Sequence, residues 1–192
     1  MNWRYGARHD AGVRSRIPRH TAIQNQRQMI SNVLTVCQGN VCRSPMAAAL
    51  LQQKIEGVHV HSCGLAAMVG QPAASNAVAV LSEVGVDMRE HRARQLTWQL
   101  ASRADLILTM TARQKQTIES LFPVMCGRIF PVRGFDHMDI DDPMGLSLSA
   151  FRQCRESLTV GIDYWVERLG KFNVRSADRH RDDAAHVEGV AQ

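Results

Sequence analysis

One stretch of the chain concentrates residues able to do chemistry together: Cys37-Gln38-Gly39-Asn40-Val41-Cys42-Arg43-Ser44. Its pattern is C-x5-R-[ST]. Gly39 and Asn40 both tolerate positive φ, so the chain can curl there with its N–H groups pointing inward. A ring of N–H groups is an anion-binding nest. A helix starting at the end of the loop adds the partial positive charge of its N-terminus. Arg43 supplies a planar fork that fits two phosphate oxygens. Cys37 sits at the base of this positive bowl, where the field favours the nucleophilic thiolate. Such a bowl suits transfer of a phosphoryl group to sulfur. It is not a nucleotide-binding P-loop, because the Gly-Lys-[ST] ending is missing. An ordinary surface loop would need no such combination of residues.

Cleavage of an oxygen ester also needs a proton for the leaving group. Asp139-Ile140-Asp141-Asp142-Pro143 offers one far along the chain. Pro143 holds Asp142 in an extended conformation, so Asp142 can project stiffly from its loop. Asp141 is the fallback. Taken alone, Asp142 would read as a turn aspartate before proline; beside the cysteine loop it reads as the acid.

The elements that must position these groups follow from pattern. Asn32–Cys37 (NVLTVC) is apolar and β-branched, hence a buried strand. Ser44-Pro45 is expected to open a helix, with Ser44 as N-cap and Pro45 at the first position. That helix covers residues 46–56 and stops at Gly57. Residues 58–63 alternate as a second strand, and 72–84 form a helix ending at Gly85. Residues 105–110 (DLILTM) make a third strand, 111–121 a helix, and 127–132 a weaker fourth strand. Leu148, Phe151, Cys154, Leu158, Ile162, Trp165 and Leu169 recur at spacings of three and four, marking one apolar face of a long last helix. Alternating strands and helices predict an α/β fold: a doubly wound, four-stranded parallel sheet with helices on both faces. In such sheets ligands bind at the carboxyl ends of the strands, where the loop after the first strand lies.

The 192 residues fit one domain. The formal charge of +5 first points toward nucleic acid. Its distribution removes that reading. Residues 1–30 hold six arginines against Asp10, whereas residues 31–170 hold 13 basic and 13 acidic side chains. The folded body, 31–170, is therefore neutral and calls for no nucleic-acid partner. Residues 1–30 read as a basic, disordered arm; Met29, directly before the first strand, reads as an alternative start of the native protein. Residues 171–192 read as a flexible polar tail. No apolar run is long enough to span a membrane, and no secretory signal is recognisable. Five cysteines in such a chain point to a reducing, cytoplasmic compartment.

The chain resembles the low-molecular-weight protein tyrosine phosphatases, particularly the bacterial members linked to exopolysaccharide systems. VCQGNVCRSP looks like that family's signature loop, Asp142-Pro143 like its acid loop, and HSCG (61–64) and HRARQLT (91–97) like two further blocks. The resemblance implies Cys37 as nucleophile, Arg43 as phosphate clamp, and Asp142 as general acid and then base. It implies that residues 38–44 (Gln38, Gly39, Asn40, Val41, Cys42, Arg43 and Ser44) bind the phosphate. Asn40, Ser44, Ser62 and His91 would hold the loop, and Cys42 would trap Cys37 as a reversible disulfide. It implies no metal and no organic cofactor. The partner would be a phosphotyrosine protein, with a bacterial tyrosine autokinase of polysaccharide export as the expected one, and the enzyme a monomer or weak dimer. A cysteine at the base of a curled loop is also reached more easily by a long aryl phosphate than by phosphoserine.

The chain departs from the family pattern in places. Met144 stands where an aromatic often follows the D-P, and Leu65-Ala66-Ala67-Met68 replaces a loop that often carries an aromatic. The cleft walls should therefore be Met-lined and adaptable. Cys63 stands where a small residue is usual. Rival functions on the same scaffold are a thioredoxin-coupled arsenate reductase and a protein arginine phosphatase. The first needs two closely spaced downstream cysteines, whereas Cys126 and Cys154 lie far apart. The second resembles this loop but carries Thr where Val41 stands. A non-catalytic phosphate-binding module would need neither Cys37 nor Asp142. A zinc site from Cys37, Cys42, His59, His61 and Cys63 lacks a standard spacing; His59, His61 and Cys63 alternate on one strand face and read as packed. Cys154 reads as a core thiol, Cys126 as a loop thiol, His137 as solvated, and Trp98 and Trp165 as packing residues.

Overall fold

The computed structural model describes residues 29–188, with side chains described through residue 173. The expected arm, up to residue 28, and residues 189–192 lie outside the described residues. Four strands, β1 (Asn32–Cys37), β2 (His59–Gly64), β3 (Leu106–Thr109) and β4 (Ile129–Pro131), alternate with five helices. The helices are α1 (Arg43–Lys54), α2 (Ser75–Ser82), α3 (Trp98–Arg103), α4 (Ala112–Leu121) and α5 (Leu148–Glu188). The sheet is wholly parallel, in the order β2-β1-β3-β4.

Strand periodicity divides the interior in two. Val33 and Cys37 of β1 and Leu106 and Leu108 of β3 face one way, into a core with α1, α2 and α5. Leu34, Val36 and Ile107 face the other way, into a core with α3 and α4. Successive strand side chains point to opposite faces, so one apolar run serves both layers. The chain leaves β1 toward β2 on one side and later returns as β3 on the other. The carboxyl end of β1 is thus the switch point of the winding, where a crevice must open. The doubly wound sheet read from the sequence is the observed fold.

Several local expectations need correction. Ser44 does not cap α1: the helix begins at Arg43 after Cys42, and no side chain caps it. The Ser44 hydroxyl is engaged elsewhere, as described below. The helix expected over 72–84 is shortened to Ser75–Ser82, because Pro72 bridges antiparallel to Arg92. The sequence reading missed α3, whose one signal is Thr97; its side chain accepts from Leu100 N at 3.3 Å. Thr111 does the same for α4, accepting from Gln114 N at 3.1 Å. Such caps satisfy orphan N–H groups of the first turn. The helix of the last segment runs past Gly170 to Glu188 rather than fraying there. Asn173 exchanges two hydrogen bonds with Ile30, tying the start of the sheet to α5. His59 and His61 are exposed rather than packed, while Cys63 is fully buried. The cause is position: β2 is an edge strand whose first half the helices do not cover. Trp98, expected to pack, meets Phe122 edge-on while half exposed.

Polar groups along the outer edge of β2 are largely taken. Gln52 of α1 accepts from Val60 N and donates to Val58 O; Arg94 donates to Ser62 O, and its carbonyl accepts from Gly64 N.

Gly161 of α5 lies close against Val132, the residue that follows β4. A Cβ there would lie 2.3 Å from Val132 Cγ1 and 2.9 Å from its carbonyl oxygen. Gly161→Ala is expected to lower the unfolding free energy by about 1–3 kcal/mol through overpacking. Urea denaturation checks this; an unchanged midpoint would overturn it.

Candidate active site

The segment after β1 is built by its carbonyl groups. Cys37 O accepts from Leu65 N (2.9 Å), Gln38 O from Ala66 N (3.0 Å), and Gly39 O from Met68 N (3.0 Å). Asn40 O meets His91 Nε2 at 2.7 Å, and Val41 O accepts from Ala74 N at 2.8 Å. In a trans peptide the C=O of one residue and the N–H of the next point in opposite directions. Pinning these oxygens outward therefore turns the N–H groups of residues 38–42 toward the inside of the loop. One of them is seen at work: Asn40 N donates to Cys37 Sγ at 3.2 Å.

Asn40 makes the curl permanent. Its φ is 56°, in the left-handed region that asparagine tolerates. Its fully buried side chain donates to Ser44 Oγ and to Ser62 Oγ, both at 2.9 Å, and accepts from Arg94 N at 2.7 Å. Ser44 Oγ lies 2.9 Å from Cys37 Sγ and donates to Cys63 O at 3.2 Å. Since Asn40 donates into the hydroxyl, the serine proton is directed at the sulfur or at that carbonyl. Thr35 holds Ser44 from beneath, donating to its carbonyl at 2.8 Å. The expected supporting set, Asn40, Ser44, Ser62 and His91, is thus one connected network around Cys37. The carbonyl of Asn40 can only accept, so His91 donates from Nε2.

The loop Asp139-Ile140-Asp141-Asp142-Pro143 arrives from 99 residues away in sequence and is fastened by Arg43. Arg43 Nη1 donates to Ile140 O at 3.1 Å, and Nη2 pairs with the Asp142 carboxylate. Arg43 is 6% exposed, and its Nε is buried with no partner. A guanidinium N–H buried without an acceptor is costly, and here it belongs to the residue that closes the loop around Cys37. Asp142 is partly exposed and accepts from Met144 N through its other oxygen at 3.3 Å. Asp141 makes no hydrogen bond or ion pair among the described residues, whereas Asp142 is the carboxylate that meets Arg43. Asp139 is used elsewhere, accepting from Ala112 N.

Cys37 and Cys42 are both buried, with free thiols. Burial pushes the Cys42 thiol up to about 12, helped by the charges of Asp142 and Cys37 and opposed by Arg43. Cys42 therefore stays protonated at neutral pH. Cys63 is likewise raised to about 12 by burial and by Cys37, although it faces the opposite core. Cys154 is a buried core thiol and Cys126 an exposed one. His137 is exposed beyond the acid loop. Met68 lies against Gly39, half exposed, and Met144 is half exposed beyond Asp142, so both expected methionines stand at the mouth.

Sequence reasoning missed two contributors. A Cβ on Gly64 would lie 2.5 Å from Gln38 O and 3.0 Å from Asn40 N, so only glycine lets β2 approach the loop. Gln95 braces the turn that does the pinning: it accepts from Ala67 N (2.9 Å) and donates to Leu65 O (2.8 Å). Both lie inside the HSCG and HRARQLT blocks, which were the available signal.

Comparison with known proteins agrees with this geometry. The family model described as low molecular weight phosphotyrosine protein phosphatase matches residues 32–175. The probable low molecular weight protein-tyrosine-phosphatase EpsP of Ralstonia nicotianae is 48% identical over 141 residues, covering 73% of this chain and 97% of that one. The low molecular weight protein-tyrosine-phosphatase Wzb of Escherichia coli is 35% identical, covering 76% and 100%. The solved YwlE arginine phosphatase from Geobacillus stearothermophilus superposes with a TM-score of 0.72 at 37% identity, covering 76% and 96%.

Two outcomes are expected. Gly64→Ala should displace Gln38 and Asn40 and weaken binding of inorganic phosphate or vanadate about tenfold or more, read by calorimetry; unchanged affinity would refute the close-approach argument. Burial, the main cause, together with Arg94 and Arg92, holds the His91 pKa below its ordinary 6.5, against the bond to Asn40. The unfolded chain therefore takes up a proton before the folded one does. The stability due to neutral His91 is complete above 6.5 and lost as pH falls toward its lowered value. His91→Gln should flatten the acid side of the stability curve between these limits; an unchanged slope would count against it.

Proposed function

The chain belongs to the low molecular weight phosphotyrosine protein phosphatase family, and from that premise we propose how its own residues carry the reaction. It is a protein tyrosine phosphatase, a phosphoric monoester hydrolase working through a cysteinyl-phosphate intermediate. The single observation that carries the assignment of roles is the buried, unpartnered Nε of Arg43 at the closure of an inward-facing N–H ring around Cys37. That donor calls for an anion in the bowl.

In the first step Cys37 Sγ attacks phosphorus in line with the ester bond. The S–P bond forms, the P–O bond breaks, and Asp142 gives its proton to the tyrosyl oxygen. The loop N–H groups and Arg43 stabilise the three equatorial oxygens throughout. Ser44, 2.9 Å from the sulfur, stabilises the thiolate as attacking and as leaving group. In the second step Asp142 takes a proton from water, whose oxygen attacks phosphorus and releases Cys37 and inorganic phosphate. Arg43 holds Asp142 beside the bowl, and a phosphate that takes Nη2 in the carboxylate's place leaves Asp142 next to the ester oxygen.

Cys42 serves as the resolving thiol for oxidised Cys37, supported by its place in the same loop. The bacterial tyrosine autokinase of polysaccharide export remains the expected protein substrate, supported by the likeness to EpsP and Wzb. A cytoplasmic location is in keeping with the free thiols; among the described residues no helix is long and apolar enough to cross a membrane. The phosphatase domain is taken as residues 31–170, extended by the contact between Asn173 and Ile30.

Hydrolysis of a small aryl phosphate, with reductant and chelator present, tests the roles. Cys37→Ser should abolish turnover, and Asp142→Asn should lower kcat by ~100- to 10,000-fold. A Cys37→Ser protein that still turns over would sink the mechanism. Higher kcat/KM on a phosphoarginine peptide than on a phosphotyrosine peptide would move the assignment to the arginine phosphatase of the same scaffold.

A further inference from the structure

Asp142 is carried by the segment 132–147, between β4 and α5, which holds neither strand nor helix. Tertiary contacts must therefore fix it. Among the described residues, four hydrogen bonds tie the stretch 139–146 to the rest of the chain. Arg43 donates two of them, to Ile140 O at 3.1 Å and to the Asp142 carboxylate. The other two lie together at the junction of β3 and α4. There Ile140 N donates to Met110 O, and Asp139 Oδ1 accepts from Ala112 N, both at 2.8 Å.

The two pairs fare differently when substrate binds. Phosphate in the bowl competes for the Arg43 guanidinium, so the bonds from Arg43 are those that the reaction disturbs. Phosphate does not compete for the pair at Met110 and Ala112. Met110 is itself held: it is fully buried, and its N–H donates to Oε1 of the buried Gln114 at 3.0 Å. Ile140, beside Asp139, is buried as well. Ala112 opens α4, where the Thr111 side chain already caps Gln114 N. Water serves an exposed N–H such as that of Ala112 equally well, so the helix does not depend on Asp139. What the Asp139 bond adds is a fixed distance between α4 and the loop. Its carboxylate also meets the partial positive charge of the first turn of α4. Of the side chains whose hydrogen bonds fasten the loop, Asp139 alone lies outside the bowl.

We propose that Asp139 is a positioning residue for the general acid. Its bond to Ala112 N, beside that of Ile140 to Met110, keeps Asp142 at the mouth of the bowl once phosphate has displaced the carboxylate from Arg43. The proposal rests on the phosphatase reading and adds to it the anchor that survives substrate binding. Asp139 acts through Asp142 and carries no proton in the reaction.

The test compares wild type, Asp139→Ala and Asp139→Asn on two esters. Phenyl phosphate has a leaving group that needs the acid's proton; dinitrophenyl phosphate has one that departs as a stable anion without it. The ratio kcat/KM reads the steps up to departure of the phenol. Asp139→Ala should lose about tenfold in kcat/KM on phenyl phosphate, part of what the acid itself supplies. Its kcat/KM on dinitrophenyl phosphate should be unchanged, which also shows the variant to be folded with its bowl intact. Asp139→Asn keeps an acceptor oxygen for Ala112 N and should stay near wild type on both. With inorganic phosphate bound, the amides of Ile140 and Asp142 should exchange with solvent faster in Asp139→Ala than in wild type. Equal losses on the two esters would overturn the proposal, because they would report a distorted bowl. So would an Asp139→Asn protein as impaired as Asp139→Ala, which would replace the bond by charge alone. Undiminished turnover of phenyl phosphate or unchanged amide exchange in Asp139→Ala would also overturn it. Inactivity of wild type on both esters would strike at the phosphatase reading, while amide exchange would still decide whether Asp139 holds the loop.

Discussion

The site depends on the outward fastening of the carbonyl groups of residues 37–41. A loop folded around an anion must turn its N–H groups inward against their mutual repulsion, and here hydrogen bonds to its carbonyls oppose that repulsion. Leu65, Ala66, Met68 and Ala74 donate to the loop carbonyls from the chain that follows β2, and His91 joins them from further on. The binding geometry is thus fixed by hydrogen bonds made on the outer side of the loop. That is preorganisation in a literal sense: the donors are aimed before charge arrives, so reaction requires little reorientation. Gly64 and Gln95 belong to this arrangement because they let the fastening chain come close and keep its turn in shape.

A second constraint joins parts of the sequence far from each other. Arg43 opens α1, yet its side chain reaches Ile140 and Asp142. Cys37, Arg43 and Asp142 therefore form one unit, and the two-sided winding of the sheet places both loops at the same end of β1 and β3. The Arg43–Asp142 pair is worth little as a stability device, because one partner is substantially exposed. Its effect is on position.

Much of this was legible in the sequence, for identifiable reasons. The β1 run, the C-x5-R-S spacing and the α5 stripe are local patterns, and each element they mark is present. Asp142 was legible only beside the cysteine loop, and its preference over Asp141 is a matter of geometry. What escaped was set by tertiary contacts. Ser44 looked like a cap but gives its hydroxyl to Cys37 and Cys63. Pro72 lost its helix to a bridge with Arg92. The short α3 carries too little periodicity to be seen. Gly64 has an unexceptional backbone, and the need for glycine arises solely from the loop packed against it.

The two margins of the sheet differ in a way that bears on self-association. Along β2, Gln52 and Arg94 occupy polar groups that another strand would need. The β4 margin is the short run Ile129–Pro131, with Phe130 partly exposed on it. An edge that accepts a strand and an opposite edge that refuses one cannot propagate a fibre. Growth by sheet extension would halt at a closed pair, so the protein can keep one margin open without the risk of polymerising through it.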